Sequence, residues 1–272
     1  MSQKLEHIST KKLIELALKQ EEEEIKYLSA LQFRGTKDVL NAAQELCKSI
    51  NENEKELGIY ILGQLGIPQR TFPNECLEIL LNLLKRESNT NILGAIGIAL
   101  GHLGDRRAIQ PLVKFKNHPD ADVRYGVVSG LLCQEDELAI DTLIELSQDE
   151  DSDIRNWATF GLGTQIDTDS LEVKKALWRR IQEESKATPI GHEIYGEALV
   201  GLAKRNEKKV IELILQEITS DSVSILCLEA AELISSHQLY PALFELKQLW
   251  KKEKDRYFLT HLEDAIQSCK KI

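Results

Sequence analysis

The chain has 272 residues, of which 42% are hydrophobic and 29% charged, with a formal net charge of -10. That is long enough to bury a sizeable core and too apolar for a disordered chain. No apolar run reaches the roughly 18 residues of a membrane helix, and the acidic balance argues against a broad nucleic-acid surface, which depends on clustered Lys and Arg.

Apolar residues recur three and four positions apart almost throughout, and nowhere is period-two alternation sustained. This is the pattern of amphipathic helices. Leu77, Leu80, Leu81 and Leu84 form one such stripe, and Ile140, Leu143, Ile144 and Leu146 form another. In chain order the pattern predicts about sixteen helices in eight hairpins. These are residues 9–18 with 22–34, 36–49 with 53–66, 73–86 with 89–103, and 105–116 with 120–133. They continue as 135–147 with 151–163, 170–184 with 190–203, 206–218 with 221–235, and 239–250 with 254–269. The fold class expected is all-α.

The hairpins repeat. "AIQPLVKF" from Ala108 and "AIDTLIEL" from Ala139 match at a spacing of 31, as do "DVRYGVVSGL" from Asp122 and "DIRNWATFGL" from Asp153. "GEALVGLA" from Gly196 and "CLEAAELI" from Cys227 keep the same interval. A two-helix unit at a fixed period means a solenoid of stacked hairpins. Asp120 or Asp122 is placed to cap one second helix, and Asp151 or Asp153 the next. Glycines recur inside second helices, Gly130 and Gly161 among them. Each costs about 1 kcal/mol against alanine there, so the series points to close helix packing.

The stretch "LGHLGDRRAIQPLVKFKNHPDADVRYGVVSGL" (Leu100–Leu131), continued by "DEDSDIRNWATFGLG" and "GEALVGLAKR", resembles the HEAT-repeat consensus. More narrowly it is similar to the short HEAT-like repeats of phycobilin lyases. The resemblance implies a right-handed α-α superhelix running over 1–272. Residues 55–205 would be the most regular repeats, and 1–50 and 206–272 the capping ones. It also implies that second helices line a concave face where a partner docks. In that family an arginine after the capped turn often pairs with an aspartate of the neighbouring repeat. Arg124 and Arg155 occupy that position, whereas Tyr195 and Leu226 stand at its later equivalents. Arg124 and Arg155 are therefore candidates for inter-repeat contacts and for partner binding.

The chemistry-bearing residues are sparse. His102, His118 and His192 stand alone, there is no HExxH, and no Cys/His set has zinc-site spacing. No catalytic residue, metal site or cofactor is expected. The five cysteines form no CxxC and read as buried thiols of a reducing compartment. Glu21–Glu24, Glu135–Glu137 and Asp149–Asp153 read as helix-end and turn carboxylates, and the basic run Lys247–Arg256 as a solvated cap. At helical spacing Trp157 falls with Ala158 and Gly161, which suggests packing. Tyr125, Asn156 and Phe160 project elsewhere and are candidate interface residues, since binding hot spots favour aromatics and arginine.

The function expected is a cytoplasmic, monomeric, non-catalytic scaffold or adaptor. It would bind a protein, with a basic surface as the complement to its own charge, and neither nucleic acid nor membrane. The resemblance leaves two alternatives open: a tetrapyrrole chromophore lyase or its assembly factor, and a DNA-binding or base-excision protein built on HEAT-like repeats.

Overall fold

A computed structural model describes residues 5–19, 24–250 and 255–270, and among them every regular element is helical. The chain divides into two compact units, residues 1–142 and 143–272. The first holds α1 (Thr10–Ala17), α2 (Glu24–Arg34), α3 (Lys37–Leu46), α4 (Glu52–Gly63), α5 (Pro73–Leu84), α6 (Thr90–Leu103), α7 (Ile109–Val113) and α8 (Ala121–Leu131). Helix α9 (Glu137–Leu146) carries the boundary. The second unit continues with α10 (Ser152–Phe160), α11 (Leu171–Glu183), α12 (Pro189–Lys204), α13 (Val210–Ile218), α14 (Ile225–Ile234), α15 (Tyr240–Leu249) and α16 (Arg256–Cys269).

Local sequence sets where these helices begin. From α4 onward each second helix starts on a side-chain cap. Asn51, Asn89, Asp120, Asp151, Thr188, Ser224 and Asp255 each accept a hydrogen bond from a first-turn amide. Each cap satisfies a donor that the helix cannot satisfy itself and contributes about 1 kcal/mol. Asp122 and Asp153 fall inside the first turns, where their charge favours the positive helix end.

Two elements differ from the sequence expectation. The helix expected over 105–116 is a 3-10 turn, Arg106–Ala108, followed by the five-residue α7. Pro111 lies in the middle of that short helix and has no amide to donate, which limits its length. The helix expected to run to residue 163 ends at Phe160 and widens into a π turn, Gly161–Gln165.

Within each unit the second helices stack on one another: α2, α4, α6 and α8 in the first, α10, α12, α14 and α16 in the second. Leucines and isoleucines of both first and second helices form the core. Leu77, Leu80 and Leu84 are buried, as are Ile140, Leu143 and Leu146, whereas Leu81 is only half-buried. Each fully buried side chain of this kind contributes about 2 kcal/mol. Glycines allow the closest approach. A Cβ on Gly97 of α6 would lie 2.4 Å from the Gly126 carbonyl oxygen of α8, and one on Gly130 would lie 2.4 Å from Leu112 Cδ1. In the second unit a Cβ on Gly201 of α12 would lie 2.5 Å from Gly163 Cα.

Arginine forks tie the helix ends together. Arg70 donates to Gly63 O and His102 O, both at 2.8 Å, and so links the ends of α4 and α6. Arg205 is buried and donates to five carbonyls, those of Leu162, Gly163, Ile166, Thr168 and Gly201. A planar guanidinium with five donors suits such a task, and lysine does not.

Candidate partner-binding face

Helix α10 follows the Asp151 cap, which accepts from Asp153 N and Ile154 N. Ile154 and Ala158 are buried, so Asp153, Trp157, Phe160 and Thr164, at helical spacing, fall on the outward stripe. Trp157 is 39% exposed rather than packed inside, and its ring meets Phe160 edge to face at 5.7 Å. The sequence expectation of packing fails because Trp157 lies beyond the edge of the Ile154–Ala158 stripe.

Next to this stripe runs a row of carboxylates. Glu193 and Glu197, one turn apart on α12, face α10 and its π turn. Asn156 Nδ2 donates to Glu193 Oε1 at 2.8 Å, and Thr164 Oγ1 donates to Glu197 Oε2 at 3.2 Å. Glu229 on α14 extends the row, with His261 Nε2 of α16 at 3.5 Å from its Oε1. Glu197 is only 9% exposed. Burial, with the charges of Glu229 and Glu193 added, overcomes the Thr164 hydrogen bond and lifts its carboxyl to about 7. The π turn that places Thr164 is held from behind by Arg205. It is held from the side by Lys204, which donates to Thr164 O and Ile166 O and pairs with Asp167.

The other candidates divide between the units. Arg124, buried on α8, donates to His118 O and Pro119 O. Tyr125 beside it is half-buried, and Asp120 and Asp122 begin the same helix. Arg155 on α10 donates to Asp149 O and Glu150 O and pairs with Glu184 at 2.8 Å. Its inter-hairpin partner is thus a glutamate where the resemblance implied an aspartate. Arg180 Nη1 lies 2.7 Å from the same carboxylate, giving a largely buried Arg155–Glu184–Arg180 triad. Asn156 is 8% exposed, Phe160 is half-buried, and Gly161 is buried in the π turn. Gly130 is buried against Leu112.

Glu197, Glu193, Thr164 and Arg205 were not singled out by sequence. The available signal was a Glu at 193 and 197, one turn apart on a second helix that is otherwise apolar.

No group of three or more His, Cys, Asp or Glu side chains among the described residues is placed to hold a metal ion. No helix among them is long and apolar enough to cross a membrane. Four cysteines are buried, and burial pushes the thiols of Cys47 and Cys76 up to about 12 and that of Cys269 up to about 11. The same cause raises Cys227. Cys133 is exposed, contrary to expectation, because it sits past the end of α8 with φ 61° and leaves the buried stripe. Iodoacetamide should therefore label Cys133 alone in the folded protein, because the other four thiols are buried. Peptide mapping before and after unfolding checks this. Residues 21–23 and 251–254, within two charge runs noted in the sequence, lie outside the described residues.

Paired helices, regular caps and stacked second helices form an all-α repeat fold similar to that of HEAT-like repeats, and a family profile described as HEAT repeats matches residues 77–163. Protein YibA of Escherichia coli strain K12 is similar in sequence, at 25% identity over 250 residues, covering 78% of this chain and 75% of YibA. The X-ray structure of Escherichia coli YibA superposes with a TM-score of 0.70 at 20% identity, covering 96% of this chain and 93% of that one. The crystal structure of an engineered protein gives 0.53 at 15% identity, covering 96% and 78%. These likenesses show the fold.

Proposed function

We propose that this chain is a non-catalytic scaffold that binds a protein partner through its second helices, with the face around Trp157, Phe160 and the α12 carboxylates as the contact. The observation that carries this reading is the aromatic pair of exposed Trp157 and half-buried Phe160 beside that carboxylate row. Aromatic anchors ringed by polar groups are the usual composition of a binding hot spot. The negative face favours a basic partner surface and speeds encounter with it. The same charge opposes a phosphate backbone, so DNA binding or base excision is the weaker alternative. A thiol-dependent lyase finds little support in four buried, raised thiols. The 31-residue period crosses residue 142, from Asp122 to Asp153, which supports reading 1–272 as one repeat array. In that reading residues 1–50 and 206–272 act as caps, and the chain is a cytoplasmic monomer.

The test is photocrosslinking in the native cells, with a diazirine side chain at position 157 and, as control, at Leu171, which is 60% exposed on a first helix. One protein crosslinked reproducibly from 157 and not from 171 supports the reading. Absence of any such adduct contradicts it.

A further inference from the structure

Buried carboxylates elsewhere in this molecule have cationic partners. Glu87 pairs with Lys55 at 2.7 Å, Glu184 with Arg155 and Arg180, and Glu217 with Lys186 at 3.5 Å. Glu197 departs from that pattern. It is as buried as those three, yet no lysine or arginine among the described residues forms an ion pair with Glu193, Glu197 or Glu229. Its hydrogen bond comes from the Thr164 hydroxyl. Beside it, Asn156 spends its amide donor on Glu193, while its Oδ1 is buried with no hydrogen-bond partner. Two carboxylates and an unsatisfied amide oxygen thus meet between α10 and α12. The two carboxylates, when ionised, and the amide oxygen are all hydrogen-bond acceptors, and among the described residues no lysine or arginine pairs with them.

We propose that this cluster receives an arginine side chain of the partner protein, with the guanidinium shared among Glu193, Glu197 and Asn156 Oδ1. The inference rests on the scaffold reading and names what the partner contributes. A guanidinium fits because the acceptors are spread over two helices. Its planar fork presents five donors at once, whereas an ammonium presents a compact point charge. A cation this close to a desolvated carboxyl favours its ionised form. Binding therefore releases the Glu197 proton to solvent, and affinity rises as pH increases toward and through about 7. The charged groups acting on Glu197 are Glu193 of its own helix and Glu229 of α14, and both are negative. From the π turn it faces the uncharged Thr164, while the uncharged Asn156 of α10 bonds Glu193 and His261 of α16 lies against Glu229. Among the described residues no charged group of α11 or α13 acts on it.

The experiment follows the side-chain carboxyls of the full chain by 13C NMR during pH titration. It uses the peptide acetyl-Gly-Arg-Gly-amide and its citrulline isostere at matched ionic strength, each taken to its solubility limit. The expected result is that the arginine peptide lowers the Glu197 midpoint by about 1 unit or more while the citrulline peptide leaves it in place. Glu193→Gln should weaken the arginine peptide roughly 10-fold, the loss of a charge-assisted hydrogen bond, and it keeps the fold because Glu193 is exposed. A Glu197 midpoint that ignores the arginine peptide, or that moves equally with both peptides, overturns the assignment. If that happens while position 157 still crosslinks its partner, the arginine site falls and the scaffold reading stands. If the position 157 adduct is absent as well, both fall.

Discussion

Replacing Gly97 with alanine is expected to destabilise the protein by about 3 kcal/mol, even though alanine in a helix interior is intrinsically favoured by about 1 kcal/mol. The new Cβ would sit 2.4 Å from the Gly126 carbonyl oxygen and 2.5 Å from its carbonyl carbon. Both atoms are backbone of α8, so no side-chain rotation relieves the clash, and α6 and α8 must move apart. That separation opens the core on either side, where Ile96, Leu100 and Val127 are fully buried. A Ser129 carbonyl 2.3 Å from the Cβ position of Gly101 means the same seam would resist relaxation one turn further on. Urea unfolding of the wild type and of Gly97→Ala measures the loss directly. Equal stability of the two would show that the seam is looser than the structure describes.

Glu197→Gln is expected to act in the opposite direction. The Glu197 carboxyl stands at about 7 in the folded chain against an ordinary 4.5. A raised carboxyl means the native state binds more protons than the unfolded state between those values. Stability therefore falls as pH rises through that window and is lowest above about 7. The gap corresponds to about 3 kcal/mol. Glutamine stays neutral at all these pH values and can keep the Thr164 hydrogen bond. The variant should thus match the wild type near pH 4 and exceed it by about 2–3 kcal/mol at pH 8. Chemical denaturation across that range, read as the difference between the two proteins, isolates this one group. A difference that stays flat with pH would mean the carboxyl is not desolvated.

The two substitutions mark what a sequence carries and what it does not. The glycine seam was legible because packing at a fixed period leaves a fixed residue type. Gly130 and Gly161 recur 31 residues apart, and the caps Asp120 and Asp151 recur with them at the same interval. The helix pairs followed from apolar spacing, which depends only on local geometry. The carboxylate row was not legible in the same way. Glu193 and Glu197 look like ordinary solvated residues of a helix. The burial of Glu197 arises only when the π turn and α14 are brought against α12. The π turn itself depends on Arg205 gathering carbonyls from residues about forty positions away, a contact with no periodic signature. Trp157 was misplaced for a related reason. Small neighbours at 158 and 161 suggested an inward ring, but stripe membership turns on a fraction of a helical turn, which spacing alone resolves poorly.

The carboxylates of the second unit divide by role. Carboxylates that cap helices or pair with arginines, such as Asp151 and Glu184, support the fold. Those of α12 and α14 are the ones that a docking partner meets in the proposed reading.

The most direct measurement is the affinity of the purified crosslinked partner for two variants that remove apolar surface from different helices. Trp157→Ala/Phe160→Ala strips the second-helix face, and Leu171→Ala/Leu249→Ala strips more exposed residues of first helices. Calorimetry should show the first pair weakening binding by at least about 10-fold, as loss of a hot spot does, with the second pair close to wild type. Undiminished binding by the first pair, or loss confined to the second, would contradict the placement of the partner face.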